Sequence, residues 1–109
     1  MSVNKIYLNF CLLLLFYSGS IFCFSQQPVK IACIGNSVTF GYGLQNPKQT
    51  SYPSQLQEML GQKYLVKNFG HNGATLLRKG HNPYYKTKEF EEALAFHPDI
   101  AIIHLGLND

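Results

Sequence analysis

The stretch Val29-Lys30-Ile31-Ala32-Cys33-Ile34-Gly35-Asn36-Ser37-Val38-Thr39 decides the fold and points to the chemistry. Val29 to Ile34 is a short apolar run closed by a glycine, which predicts a buried strand of a parallel sheet. Ser37 falls just past the carboxyl end of that strand, where open α/β sheets place their ligands. A helix starting there offers Ser37 unpaired backbone N–H groups and the positive end of a helix dipole. Those conditions suit a hydroxyl nucleophile and the binding of a developing oxyanion. A serine in a glycine-rich turn is also an ordinary helix cap, so Ser37 gains a catalytic reading only from what stands with it.

Strands and helices alternate along the rest of the chain. Gln45 to Gln49 is a polar loop. Thr50 or Ser51 caps a helix with Pro53 in its first turn, Tyr52, Leu56, Met59 and Leu60 on one face, and Gly61 at its end. Tyr64 to Phe69 reads as a second strand. Gly70 to Pro83 is loop, with a helical turn expected near Leu76-Leu77. Thr87 caps a second helix running to Phe96, with Phe90, Ala93, Leu94 and His97 at helical spacing and Pro98 closing it. Asp99 opens a third strand, Ile100 to Leu105. This alternation predicts an α/β fold with a parallel sheet and helices on both faces. Three strands and few helices cover such a sheet poorly, and the expectation is that these residues are the N-terminal portion of a longer protein.

Each strand is followed by a loop of small and polar residues, and in a parallel sheet all three loops lie at one edge. The first carries Gly35-Asn36-Ser37, the second Asn68-Phe69-Gly70-His71-Asn72-Gly73-Ala74-Thr75, the third Gly106-Leu107-Asn108-Asp109. Ser37 is the candidate nucleophile. Its own N–H, the N–H of Gly73 and the side-chain amide of Asn108 could converge on one oxygen. Glycine lets a backbone N–H approach a substrate closely, and asparagine donates without carrying charge.

These three blocks, in this order and each after a predicted strand, resemble the first, glycine and asparagine blocks of the SGNH/GDSL hydrolases, from about Val29 onward. The resemblance implies a flavodoxin-like three-layer α/β/α fold, of which the first three strands are present, and ester hydrolysis through an acyl-serine. It assigns Ser37 as nucleophile and first oxyanion donor, with Gly73 and Asn108 as the others. Two departures stand out. Asn36 occupies a position where the family usually has aspartate, so local hydrogen bonding differs. The family's catalytic histidine lies in a late Asp-x-x-His block, and none occurs here. Of the four histidines, His104 falls in a strand and His97 at a helix end, both structural positions; His81 lies in a loop; His71, in the glycine block, is a candidate substrate contact or plain surface loop. Without a base a serine hydroxyl is a weak nucleophile, so the 109 residues alone are expected to be inactive and the complete protein to be a hydrolase.

The N-terminus reads separately. Lys5 precedes an apolar stretch from Ile6 to Phe24, and Cys23 and Ser25 suit the positions three and one before a cleavage, giving a signal peptide over 1–25 and a mature start at Gln26. An uncleaved anchor is the competing reading, interrupted by Ser18-Gly19-Ser20. Cleavage implies export to the periplasm or the extracellular space, without stable membrane insertion. Neither Cys11 nor Cys23 has the preceding small residue of a lipoprotein signal. The mature chain then keeps only Cys33, which cannot form an internal disulfide and reads as a small buried residue. The formal charge of +3 comes from scattered Lys and Arg, unlike the clustered charge of a nucleic-acid-binding face.

Rival sites fail on pattern. Neither Gly-x-x-x-x-Gly-Lys-Ser/Thr nor Gly-x-Gly-x-x-Gly occurs, which argues against a phosphate cradle. Thr39 stands where the Gly-x-Ser-x-Gly elbow needs glycine. No metal-ligand spacing is present, and no cofactor is implied. For substrate, the loop from Leu76 to Lys86 brings Arg78, Lys79, His81, Asn82, Tyr84 and Tyr85 beside the site; it suits a sugar ring or an acidic glycan, or is a solvated connector. The resemblance extends to carbohydrate O-acetylesterases, including those acting on sialic acids. A secreted carbohydrate-binding module on the same scaffold is the non-enzymatic alternative.

Overall fold

A computed structural model describes Asn4, Lys5, Tyr7 and residues 23–109. Most of the expected leader over 1–25 lies outside the described residues. Residues 23–28 are without regular structure, and the fold proper begins at Val29.

Three strands form one parallel sheet: β1 (Val29–Gly35), β2 (Tyr64–Gly70) and β3 (Ile100–His104), in the order β2-β1-β3. Among the described residues, four α-helices lie in the connections: α1 (Ser37–Phe40), α2 (Pro47–Thr50), α3 (Tyr52–Leu60) and α4 (Lys88–Phe96), with short 3-10 turns at Gly61–Lys63 and Tyr84–Lys86. The sheet is the partial flavodoxin-like α/β arrangement expected. Gly35 is level with Gly70 on one side and with His104 on the other, so the loops after all three strands leave the same edge at the same height.

Alternation along β1 divides the core. Ala32 and Ile34 face α4, where Phe69, Ala93 and Phe96 pack with them; the Phe69 and Phe96 rings lie 5.6 Å apart. Cys33, fully buried, faces the opposite layer, where the Tyr52 hydroxyl of α3 is its neighbour. Burial pushes the Cys33 thiol up, which keeps it inert.

Helix limits follow their punctuation. Thr87 Oγ1 accepts from Phe90 N at 3.2 Å and starts α4, and His97 ends it in the left-handed conformation, φ 50°. Ser51 precedes α3, yet its hydroxyl meets Ser54 Oγ rather than a backbone N–H. Three details differ from expectation. Met59 is exposed, because the inward stripe of α3 runs through buried Pro53 and half-buried Leu56 and Leu60, and Met59 lies about 90° from its centre at 100° per residue. On α4, Leu94 and His97 are exposed and Phe96 packs inward instead. Near Leu76-Leu77 there is no helix; one turn closes there through Gly80 N to Leu77 O at 3.1 Å. The loop expected over Gln45 to Gln49 contains α2, for which Pro47 is a favourable first residue.

Strand β3 also departs from its sequence reading. Its apolar run suits burial on both faces, but every residue from Ile100 to His104 is exposed among the described residues. It is an edge strand of this sheet, and α4 covers β1 and β2 more than β3.

Candidate active site

Ser37 is the first residue of α1 and half-buried. Asn36 is the N-cap: its Oδ1 accepts from Val38 N at 3.0 Å, and its own N–H donates to His104 O at 3.3 Å. The cap leaves the Ser37 N–H free of any backbone acceptor among the described residues, as the first turn of a helix must. Asn36 is 1% exposed, and its Nδ2 has no hydrogen-bond partner among the described residues. An unpaired buried donor costs about 1–3 kcal/mol.

The glycine loop is tied to the end of β1, two residues before Ser37, by its first residue: His71 N donates to Gly35 O at 2.9 Å. Two residues on, Gly73 adopts φ +75°, a left-handed conformation that favours glycine. Its N–H, like that of Ser37, has no backbone acceptor among the described residues. Ala74 and Thr75 are fully buried and fix the loop from beneath.

The third loop locks onto the second. Asn108 Nδ2 donates to Ala74 O at 3.1 Å, which uses one of its two amide hydrogens and sets the direction of the other. Asp109 Oδ1 accepts from Leu76 N at 2.7 Å and Leu77 N at 3.3 Å. Gly73, through its neighbour Ala74, and Asn108 are thus brought together, and Ser37 is held to the same edge by the Gly35–His71 and Asn36–His104 bonds.

The fourth site candidate, His71, is held by a residue that sequence reading missed. His71 Nδ1 lies 2.8 Å from Glu89 Oε2 on the first turn of α4, with both side chains about one-third exposed (34% and 30%). The pair spans 18 residues, and no local pattern announces it. No hydrogen bond among the described residues joins a histidine ring to Ser37; His71 is turned to Glu89. Asn68 is a second unforeseen contributor: Nδ2 donates to Thr39 O at 2.7 Å and Oδ1 accepts from Gly70 N at 2.9 Å, lashing α1 to the end of β2.

A serine at a helix start, two backbone N–H groups without a backbone acceptor among the described residues and an amide held by Ala74 O thus lie at one sheet edge. A profile of the GDSL-like lipase/acylhydrolase family matches residues 33–109. The chain belongs to that family. It is similar to an acetylxylan esterase of Xylanibacter ruminicola, 46% identical over 84 residues, covering 77% of this chain and 18% of the relative. The chain therefore spans less than a fifth of that protein's length. No solved structure matches.

Proposed function

We propose that these residues supply the nucleophile and oxyanion-binding half of a serine ester hydrolase that removes acetyl groups from carbohydrate esters. The observation that carries this reading is the set of tethers joining the three loops, above all Asn108 Nδ2 to Ala74 O beside Gly73. Ser37 Oγ attacks the ester carbonyl carbon, and its proton passes to a base. The carbonyl oxygen becomes an oxyanion that accepts from Ser37 N–H, Gly73 N–H and the second Asn108 Nδ2 hydrogen, preorganised donors that need no rearrangement as charge develops. The sugar alcohol departs with a proton, and water cleaves the acyl-serine to acetate and free Ser37.

The base is taken to lie outside these 109 residues, since no Asp-x-x-His block occurs among them and His71 is bonded to Glu89. Alone, the 109 residues are expected to lack esterase turnover. His71 is assigned to substrate contact. The acetylated-carbohydrate preference rests on the relative's name. Export is part of the proposal, on the leader pattern of residues 1–25.

The test is labelling of the full-length protein with a fluorophosphonate, together with acetate release from acetylated glycans. Labelling and release that both vanish in Ser37→Ala are expected. A folded protein that takes no label and releases no acetate favours the carbohydrate-binding alternative; preference for long-chain lipid esters removes the carbohydrate assignment.

A further inference from the structure

We propose that the loop from Leu76 to Lys86 is a subsite for a sugar carboxylate, so that the preferred ester is carried on an acidic glycan. The proposal rests on the ester-hydrolase reading for its position beside the reacting centre, and on the loop's own construction for its chemistry.

The loop is built rather than slack. Thr75 N donates to Asn82 O at 2.8 Å and Tyr84 N to Thr75 O at 3.0 Å, closing its two ends on each other. Thr75 Oγ1 donates to Leu77 O at 3.0 Å inside it. Thr75 and Tyr84 at its base are buried, and Asp109, next to Asn108, binds the amides of Leu76 and Leu77. Arg78 is therefore one residue from an amide fastened to the asparagine block, and five residues past Gly73.

On this frame Arg78 stacks on Tyr85, with Cζ 4.7 Å from the ring centroid, and Lys86 Nζ stands 5.7 Å from the same ring. Lys79 and His81 lie in the same loop, and all of these side chains are exposed. From Leu76 to Lys86 there is no acidic residue. No ion pair among the described residues uses Arg78, Lys79 or Lys86. Asp109, which borders the loop, has its Oδ1 engaged by two backbone N–H groups.

A solvated connector scatters its charges and leaves them mobile. Stacking instead fixes the plane of the Arg78 guanidinium, and a fixed fork loses less freedom when it takes a carboxylate in a bidentate pair. Arg78, Leu76 and Tyr85 line one side of a cavity of about 450 Å³ whose floor includes Ile34 and Ile103 of the sheet and Leu105, and the exposed Tyr85 ring is an aromatic surface of the kind that receives the C–H face of a sugar ring. A stacked cation, an aromatic surface and a loop fastened to the asparagine block through Asp109 together fit an acetylated sugar chain bearing a carboxylate.

The experiment measures kcat/KM of the full-length protein on acetylated oligosaccharides with and without a carboxylate, uronate-bearing and sialylated chains being separate arms. Arg78→Ala is expected to lower kcat/KM on the acidic substrate about 10-fold or more, the scale of one charge-assisted pair, and to leave the neutral substrate unchanged. Arg78→Lys recovers part of the loss and Lys86→Ala shows a smaller one. Equal effects on acidic and neutral substrates, or none on either, overturn the proposal. Calorimetric titration of deacetylated acidic and neutral chains into Ser37→Ala separates the two readings. Arg78-dependent preference for the acidic chain without acetate release in wild type supports the subsite and overturns the hydrolase; acetate release with equal binding of both chains does the reverse.

Discussion

Replacing Gly70 with alanine is expected to move Ser37, the proposed nucleophile, without touching it. A Cβ on Gly70 would stand 2.2 Å from Phe40 N, 2.7 Å from Phe40 Cα and 2.8 Å from Thr39 C, all of them backbone atoms of α1. Non-bonded heavy atoms are comfortable at about 3.5 Å, so α1 and the end of β2 must part by roughly 1 Å. Asn68 opposes that parting, since it holds Thr39 O and Gly70 N at once. Overpacking of this kind costs about 1–3 kcal/mol of stability. Ser37 rides on α1, and a misplacement of about 1 Å costs on the order of 100-fold in rate. The assay is kcat/KM on a small acetate ester with the full-length protein, alongside urea unfolding. Gly73→Ala is the comparator: the nearest atom to its Cβ is Asn82 Nδ2 at 3.7 Å, so it meets only backbone strain at φ +75°, about 1–2 kcal/mol. A folded Gly70→Ala protein with activity within a factor of about three of wild type refutes the reasoning, because α1 would then not be what aims Ser37.

Three further outcomes are expected. Asn108→Ala removes the proposed third oxyanion donor and should lower kcat by roughly 100- to 1000-fold, equivalent to about 3–4 kcal/mol, with KM little changed; steady-state kinetics on the acetate ester checks it. Glu89→Gln weakens the anchor of His71 Nδ1 and should raise KM for a glycan ester with kcat preserved, as His71→Ala does more strongly; a loss confined to kcat contradicts a binding role. Tyr84 sits buried with its hydroxyl donating to Phe69 O, and burial first, then Glu89 and Glu92, push its pKa above the ordinary 10.0. The folded state thus holds the phenol proton to higher pH than the unfolded state. Its contribution to stability is complete below about pH 10 and is lost as pH rises beyond that. Urea unfolding from pH 8 to 11 should show a decline that is shallower in Tyr84→Phe; identical profiles contradict it.

Local chemistry made much of the fold legible. The strand from Val29, the strand from Tyr64 and the helix after Thr87 each announce themselves through an apolar run or a cap, and the structure places them within a residue of expectation. Parallel pairing then put the serine, glycine and asparagine loops at one edge. What escaped was long-range. Asn68 bonding to Thr39, His71 to Glu89 and Asp109 to Leu76 link residues 18 to 33 positions apart, and no periodicity encodes such links. Exposure escaped for a related reason: the hydropathy of Ile100 to Leu105 states what the strand prefers to touch, not what covers it. The polar run that holds α2 misled because Pro47 reads equally as a turn residue and as a helix start.

The central claim, that three loops converge on one carbonyl oxygen beside Ser37, is tested most directly by a crystal structure of the full-length protein carrying a phosphonate adduct. The phosphorus should be bonded to Ser37 Oγ, and its phosphonyl oxygen should lie within about 3 Å of Ser37 N, Gly73 N and Asn108 Nδ2. An adduct on another residue, or a phosphonyl oxygen turned away from Gly73 and Asn108, contradicts the account.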